Sequence, residues 1–289
     1  MKVEALQGVE RAVRRWRDDW IVRPLARSRL IEKATFLDLD IGIKNAGDHL
    51  IAFYPNDLGI GREIRRVGTW GRSSFDHAIK AARARRPDMA GKVFIDVGAN
   101  IGTQTVYALL AGFGRAVSIE PVPENVRCLN LNAYINGYMD RITIVQKGAG
   151  AQQSRLQLSL DETNIGGHSI VLPKKAGWQK LEIEVTPVDD MLAELAIPPE
   201  QVGLLWIDVE GYEPQVIEGA RRLISAAVPL VLEFNAKVYG VQESEKLLRS
   251  LADRYSFAGV MDENGVELKS TAKLSLQMLP SKQVDLLFL

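Results

Sequence analysis

Residues 93–105, VFIDVGANIGTQT, constrain the fold more than any other part of the chain, because an apolar run ends in an acid and then enters a glycine-containing turn. The run KVFIDVG has the composition of a buried strand, and the following TQTVYALLAGFG has the pattern of a helix closed by glycine. A glycine-rich turn between a strand and a helix lets a ligand approach the backbone and points helix N–H groups at that ligand. The segment therefore predicts a ligand-binding turn at residues 98–102.

The same strand–helix rhythm continues towards the C-terminus. AVSIEP, ITIVQKG, VGLLWIDVEG and PLVLEFN have the composition of strands, amphipathic segments separate them, and VDLLFL ends the chain as a last strand. Alternation at this spacing is typical of right-handed βαβ units, so we expect an α/β fold with a mostly parallel sheet and helices on both faces. Residues 151–187 break the rhythm with short alternating segments, which predict a small antiparallel insertion.

The first 47 residues differ from the rest of the chain. Apolar side chains recur at helical spacing over residues 3–33, interrupted at Pro24, and predict an N-terminal helical extension. We therefore divide the chain into an extension, residues 1–47, and one domain, residues 48–289. Two tryptophans in the amphipathic segment favour a homodimer that forms through these helices.

Composition excludes several classes of protein. Lys and Arg number 36 and Asp and Glu 36, so the net charge is zero and nothing favours nucleic acid as a partner. No stretch reaches the roughly 18 apolar residues that a bilayer span needs, and the first residues lack the apolar core of a secretory signal. Cys128 is the only cysteine, which is typical of a reducing compartment. We expect a cytoplasmic protein.

Asp96 discriminates between nucleotide cofactors. The dinucleotide fingerprint needs G-x-G-x-x-G, whereas this chain has Gly98 and Gly102 with Asn100 between them. A carboxylate beside the turn would repel a pyrophosphate and would suit a cation. S-adenosylmethionine has an α-ammonium, a sulfonium and no phosphate. Glu120 ends the second strand, where an acid accepts hydrogen bonds from both ribose hydroxyls of either cofactor.

Four segments in order resemble the FkbM family of S-adenosylmethionine-dependent methyltransferases over roughly residues 48–236: FIDVGANIGTQT, VSIEPVPENVRCLNLNAYING, LLWIDVEGYEPQVIEGA and PLVLEFN. The resemblance implies the class I methyltransferase (Rossmann-like) fold, with a seven-stranded sheet whose last strand is antiparallel. It also implies S-adenosyl-L-methionine as the cofactor. The cofactor-binding residues that follow from it are Asp96, Gly98, Ala99, Asn100, Gly102, Glu120, Pro121 and Asp208.

Candidate catalytic carboxylates follow the two central strands. Asp208 and Glu210 come after an apolar run and, because side chains alternate along an extended chain, share one side, while Glu233 ends the next strand. Such carboxylates could supply a base of raised pKa to a hydroxyl nucleophile. They could instead only cap the following helix. No His or third carboxylate at ligand spacing accompanies Asp208 and Glu210, so we assign no metal site. For His168, in a turn-rich stretch, an exposed turn residue is the favoured interpretation over a proton acceptor.

The sequence therefore predicts a methyltransferase that uses S-adenosylmethionine. The resemblance implies the acceptor, a hydroxyl oxygen of a sugar, glycan or secondary metabolite. Two alternatives stay open: an NAD(P)-dependent enzyme on a Rossmann-like sheet, in which Asp96 has no role, and a non-catalytic methyltransferase-like scaffold. The identity of the acceptor is not encoded in a motif, because acceptor pockets are built from loops and insertions.

Overall fold

The computed structural model describes residues 41–161, 163–171, 178–262, 264–281 and 283–289. The helices expected within residues 3–33, and with them the expected dimer contact, lie outside these ranges. Within the described part of the chain, no helix has the length and apolar character that crossing a bilayer requires.

The described elements follow one another as short strands and helices. The strands are β1 (Gly42–Asn45), β2 (Leu50–Phe53), β3 (Val93–Val97), β4 (Arg115–Ile119), β5 (Ile142–Val145), β6 (Gly148–Ala149), β7 (Ser154–Ser159), β8 (Lys180–Thr186), β9 (Val202–Ile207), β10 (Leu230–Asn235), β11 (Phe257–Asp262), β12 (Gly265–Val266), β13 (Lys269–Ser270) and β14 (Gln283–Phe288). The α-helices are α1 (Ile60–Val67), α2 (Arg72–Arg85), α3 (Thr103–Leu110), α4 (Pro123–Ile135), α5 (Val188–Glu194), α6 (Glu213–Gly219), α7 (Arg221–Ser225), α8 (Ala236–Tyr239) and α9 (Val241–Ala252).

The main sheet has the strand order β12-β11-β14-β10-β9-β3-β4-β5, with β13 paired to β11 beside this path. Strands β5, β4, β3, β9 and β10 are parallel, and β14 runs antiparallel to both of its neighbours. The described residues thus form a nine-stranded sheet, where the resemblance implies seven strands. The additional strands β12 and β13 have only two residues each and both pair with β11.

Helices cover both faces of this sheet, because successive side chains of each strand point to opposite sides. On one face, Ile95 and Val117 pack with residues of α5, α6 and α9. On the other, Phe94 and Ala116 pack with residues of α2 and α3. The central strands are buried on both faces, which explains why they are nearly continuous apolar runs in the sequence.

The expected insertion is a second, three-stranded sheet with the order β6-β8-β7. Strands β7 and β8 are antiparallel, as the alternating segments predict. Strand β6 pairs with β8 in parallel, so the insertion is mixed rather than purely antiparallel. Residues 172–177 of this region lie outside the described ranges.

Two asparagine side chains attach the β1–β2 hairpin to helix α4. Asn132 accepts from the backbone N–H of Ala52 at 2.6 Å and donates to the carbonyl oxygens of Ala52 at 3.0 Å and Ile101 at 2.8 Å. One turn later, Asn136 accepts from the N–H of Leu50 at 2.9 Å and donates to its carbonyl at 2.8 Å. These amides occupy the hydrogen-bonding positions that a neighbouring strand would fill. The hairpin is thereby fixed beside the turn that contains Ile101.

We expect Asn132→Ala to lower the free energy of unfolding by about 3 kcal/mol, because it leaves the buried N–H of Ala52 without a partner and removes the amide donor from its carbonyl, which keeps the thiol of Cys128. Urea denaturation of the purified protein measures this difference. Asn130→Ala, at an exposed position of the same helix, is the control and should change stability by less than about 0.5 kcal/mol. Equal stability of the two variants would contradict the assigned role of Asn132.

Candidate active site

A cavity of about 580 Å³ lies at the carboxyl ends of β3, β4, β9 and β10. Parallel strands end at the same edge of a sheet, which is where open α/β sheets bind their ligands. The volume is in the range of cavities that hold cofactor-sized molecules. The expected site residues that line the cavity are Gly98, Asn100, Glu120, Pro121, Asp208, Glu210 and Glu233.

Three expected cofactor-binding residues lie beneath this surface instead. Asp96, Ala99 and Gly102 are not among the residues that line the cavity. Ala99 is buried and donates its backbone N–H to the carbonyl of Ile119 at 3.1 Å. The structure therefore gives these residues contacts within the protein, and a contact with a ligand stays a prediction for each of them.

The glycines of the turn are required by the protein's own packing. Gly98 has a φ of +84°, and a Cβ at this position would overlap the carbonyl oxygen of Asp208. The N–H of Asp208 also donates to the carbonyl of Val97 at 3.0 Å, so the ends of β3 and β9 are in contact. Gly102 has a φ of +85°, and a Cβ there would lie 2.9 Å from Cγ of Leu129. Packing against neighbouring chain segments thus accounts for both glycines of the turn.

Asp96 lies behind the turn and is 1% exposed. Its carboxylate accepts a hydrogen bond from Oγ1 of Thr105 at 2.5 Å, and Oγ1 of Thr105 lies 2.7 Å from Oγ of Ser118. Burial raises the pKa of Asp96 to about 7, against the lowering effect of the Thr105 hydroxyl, and the charge of Glu120 raises it further. The carboxylate of Asp96 is therefore not exposed to the cavity, and a role towards a ligand stays a prediction that would depend on its charge.

Glu120 is at the end of β4 and its carboxylate is held by three N–H groups. Oε2 accepts from the backbone N–H of Asn100 at 2.8 Å, and Oε1 accepts from the backbone N–H of Val122 at 2.9 Å and from the side-chain amide of Asn125 at 3.3 Å. Burial raises the pKa of Glu120 to about 7, although these three donors favour the ionised form. The carboxylate is therefore oriented before any ligand binds.

Four carboxyl groups form the opposite wall of the cavity, which we name the acid wall: Asp208, Glu210, Glu233 and Asp285. Glu233 on β10 and Asp285 on β14 are direct partners in the antiparallel register, and so lie side by side. Burial raises the pKa of Asp208 well above its usual value, and the charges of Glu233 and Glu210 raise it further. Burial likewise raises the pKa of Glu233, opposed by a 3.0 Å hydrogen bond from Gln283.

Burial and the charges of neighbouring carboxylates therefore favour the protonated forms of Asp208 and Glu233 more than in exposed carboxyl groups. Once ionised, a carboxylate whose pKa is raised in this way is a stronger base than an exposed carboxylate. Among the residues that the structure describes, no three His, Cys, Asp or Glu side chains are grouped as a metal site requires.

Glu213 holds the loop that positions the acid wall, a role that the sequence does not reveal. It is 0% exposed; its Oε1 accepts from the N–H groups of Val209 at 3.0 Å and Gly211 at 3.1 Å, and its Oε2 accepts from the hydroxyl of Tyr239 at 2.5 Å. Glu210 lies in this loop with a φ of +53°, a conformation that L-residues adopt rarely. The buried carboxylate of Glu213 therefore maintains a turn that directs Glu210 towards the cavity.

Residues 163–168 complete the cavity from the insertion, and no sequence motif predicts their position. The backbone of Ile165 accepts from the side-chain amide of Asn100 at 2.9 Å and donates to the carboxylate of Asp57 at 2.8 Å. His168 lines the cavity, and its Nδ1 accepts from the backbone N–H of Asp161 at 2.9 Å. Since Nδ1 is an acceptor in this bond, the neutral ring has its proton on Nε2, and His168 is poorly suited to act as a base.

We expect Gly98→Ala to lower the free energy of unfolding by more than about 3 kcal/mol, because it adds steric overlap with Asp208 to the cost of a positive φ. Gly137→Ala is the matched control: its φ is +73°, but nothing lies within 4 Å of the added Cβ, so it should cost only about 1 kcal/mol. Urea denaturation compares the two. Similar losses would show that close approach of β9 does not explain the glycine at position 98.

A family model described as the methyltransferase FkbM domain matches residues 96–258. Similar solved structures include the methyltransferase FkbM from Methylobacillus flagellatus KT, with 20% identity and a TM-score of 0.44 over 69% of this chain and 44% of that chain. The O-methyltransferase from Bacillus cereus in complex with SAH has 10% identity and a TM-score of 0.40 over 79% and 96%. This chain thus spans less than half the length of the first of these proteins. No curated protein sequence matches it significantly.

Proposed function

The chain belongs to the FkbM methyltransferase family, and we propose that it transfers a methyl group from S-adenosylmethionine to a hydroxyl oxygen of a sugar, glycan or secondary metabolite. The observation that supports this most directly is the division of the cavity. One end has the glycine turn and the oriented carboxylate of Glu120, and the other has the acid wall.

The charge of the cavity favours S-adenosylmethionine over a dinucleotide. Among the described residues, the lining includes six carboxyl groups, from Glu63, Glu120, Asp208, Glu210, Glu233 and Asp285, and one lysine, Lys147. A pyrophosphate would be repelled by this surface, whereas a sulfonium and an α-ammonium would be attracted. The acidic lining of the cavity therefore suits a cationic adenosine cofactor and argues against the NAD(P)-dependent alternative.

The acid wall has the properties that a hydroxyl acceptor requires. S-adenosylmethionine supplies the electrophilic methyl group when it is bound. The protein aligns the acceptor oxygen and takes up its proton, so that a bond from oxygen to carbon forms while the bond from sulfur to carbon breaks. Asp208 is our candidate for the group that takes up the proton, because burial and the charges of Glu233 and Glu210 raise its pKa. Neighbouring carboxylates can accept hydrogen bonds from the other hydroxyls of a sugar.

A screen with isotopically labelled S-adenosylmethionine tests the reaction. We expect the wild-type protein to label members of a hydroxylated metabolite and sugar pool, and Asp208→Asn to lower turnover by about a hundredfold or more. Asp253→Asn, on an exposed position at the end of α9, is the matched control and should retain activity.

Three other results would each change a different part of the proposal. Mass spectrometry that places the label on nitrogen or on a carboxylate would replace the hydroxyl acceptor. Calorimetry that detects no binding of S-adenosylmethionine or S-adenosylhomocysteine would contradict the proposal and would favour the non-catalytic scaffold. Undiminished turnover in Asp208→Asn would show that Asp208 does not take up the proton of the acceptor.

Affinity for S-adenosylmethionine should increase between about pH 6 and pH 8. Asp96 and Glu120 have pKa values raised to about 7, so both are partly protonated in the free protein below that pH, and a cationic ligand favours their ionised forms. Binding therefore releases protons, and the affinity constant rises by up to about tenfold per pH unit for each group until the group is ionised. Calorimetry in buffers of different ionisation enthalpy measures both effects. A pH-independent affinity in wild type would contradict this coupling, and Asp96→Asn should show a shallower dependence.

A further inference from the structure

Glu120 has fewer free acceptor positions than a ribose requires. An ionised carboxylate has about four lone pairs on its two oxygens. Three of them are used: Oε2 accepts from Asn100, and Oε1 accepts from Val122 and Asn125. One lone pair remains, on Oε2, whereas two vicinal hydroxyls that both donate need two acceptors. In this arrangement Glu120 alone cannot accept from both.

Asn125 has an unused acceptor beside this carboxylate. It lies in the first turn of α4, lines the cavity and is 2% exposed. Its Nδ2 donates to Glu120, so Oδ1 is the acceptor of its amide, and this buried oxygen accepts no hydrogen bond from the described residues. A buried carbonyl oxygen without a donor is unfavourable, which points to a donor that the bound ligand supplies.

We propose that Asn125 is a second ribose-binding residue: its Oδ1 accepts a hydrogen bond from one hydroxyl of the cofactor's ribose, and Oε2 of Glu120 accepts from the other. This inference rests on the proposed function, since it requires an adenosine cofactor.

The chemistry of the pair explains why an amide is suited to position 125. An amide provides the second acceptor without placing another negative charge beside the buried Glu120. Its N–H also donates to Glu120 and orients that carboxylate, which an apolar side chain would not do. Two different acceptors, one charged and one neutral, would then distinguish a cis-diol from a sugar that lacks either hydroxyl, because a missing hydroxyl leaves one acceptor unpaired.

Binding of S-adenosylhomocysteine and of its 2′-deoxy and 3′-deoxy analogues, measured by calorimetry, tests the inference. In the wild type each deoxy analogue should bind about tenfold more weakly. We call this loss of affinity the penalty of that analogue. In Asn125→Ala, the penalty of one of the two deoxy analogues should fall below about twofold, while the penalty of the other persists. Asn130→Ala, on the exposed side of the same helix, is the control and should keep both penalties. Asn125→Ser is a second variant, for use if Asn125→Ala does not fold, and should lose the same penalty.

The pattern of the two penalties separates the explanations. If both shrink equally in Asn125→Ala, Asn125 only orients Glu120, and the inference is overturned. If both persist unchanged, no ribose hydroxyl donates to Asn125, which also overturns it. If S-adenosylhomocysteine does not bind the folded wild-type protein, the proposed cofactor is wrong and the inference fails with it.

Discussion

The contact between the ends of β3 and β9 is the constraint on which the rest of the site depends. The carbonyl oxygen of Asp208 occupies the space that a side chain at position 98 would need, so only glycine allows the two strand ends to come together. This contact places the glycine turn and the acid wall around one cavity. The carboxylate of Glu213 then fixes the Asp208–Gly211 loop by accepting hydrogen bonds from two backbone N–H groups of that loop. Packing within the protein, and not only ligand chemistry, therefore accounts for the residues at this turn.

Much of the fold and part of the site could be predicted from local sequence patterns. Buried strands followed by helices predict the α/β sheet, and residues at strand ends such as Glu120, Asp208 and Glu233 predict which side chains meet at its edge. Asp285 could not be found in this way, because its place depends on β14 lying antiparallel beside β10. The inward direction of Glu213 and the position of residues 163–168 also depend on contacts between distant parts of the chain. Strands β12 and β13, of two residues each, are too short for a periodic signal.

Asp96 does not present its carboxylate to the cavity. The sequence suggests a carboxylate that meets a cation directly, but the structure places it behind the turn with Thr105. A buried charge of this kind still acts over several ångströms, since the surrounding protein screens it less than water does. Asp96, Glu120 and the acid wall together make the cavity strongly acidic. Recognition of a cation would then be a property of the whole cavity and not of one contact.

The β1–β2 hairpin forms a sheet of its own, separate from the main sheet, and hydrogen-bonds to the side chains of Asn132 and Asn136. The hairpin leads into α1, whose residues Ile60 and Glu63 form part of the cavity lining, so that region is secured to the domain by two side-chain amides together with apolar packing against Ile101 and Cys128. Substitutions at Asn132 or Asn136 would alter the shape of the ligand-binding surface although neither residue belongs to it. Differences in ligand preference between related chains can therefore originate at buried positions outside the cavity lining, which a comparison of cavity residues would overlook.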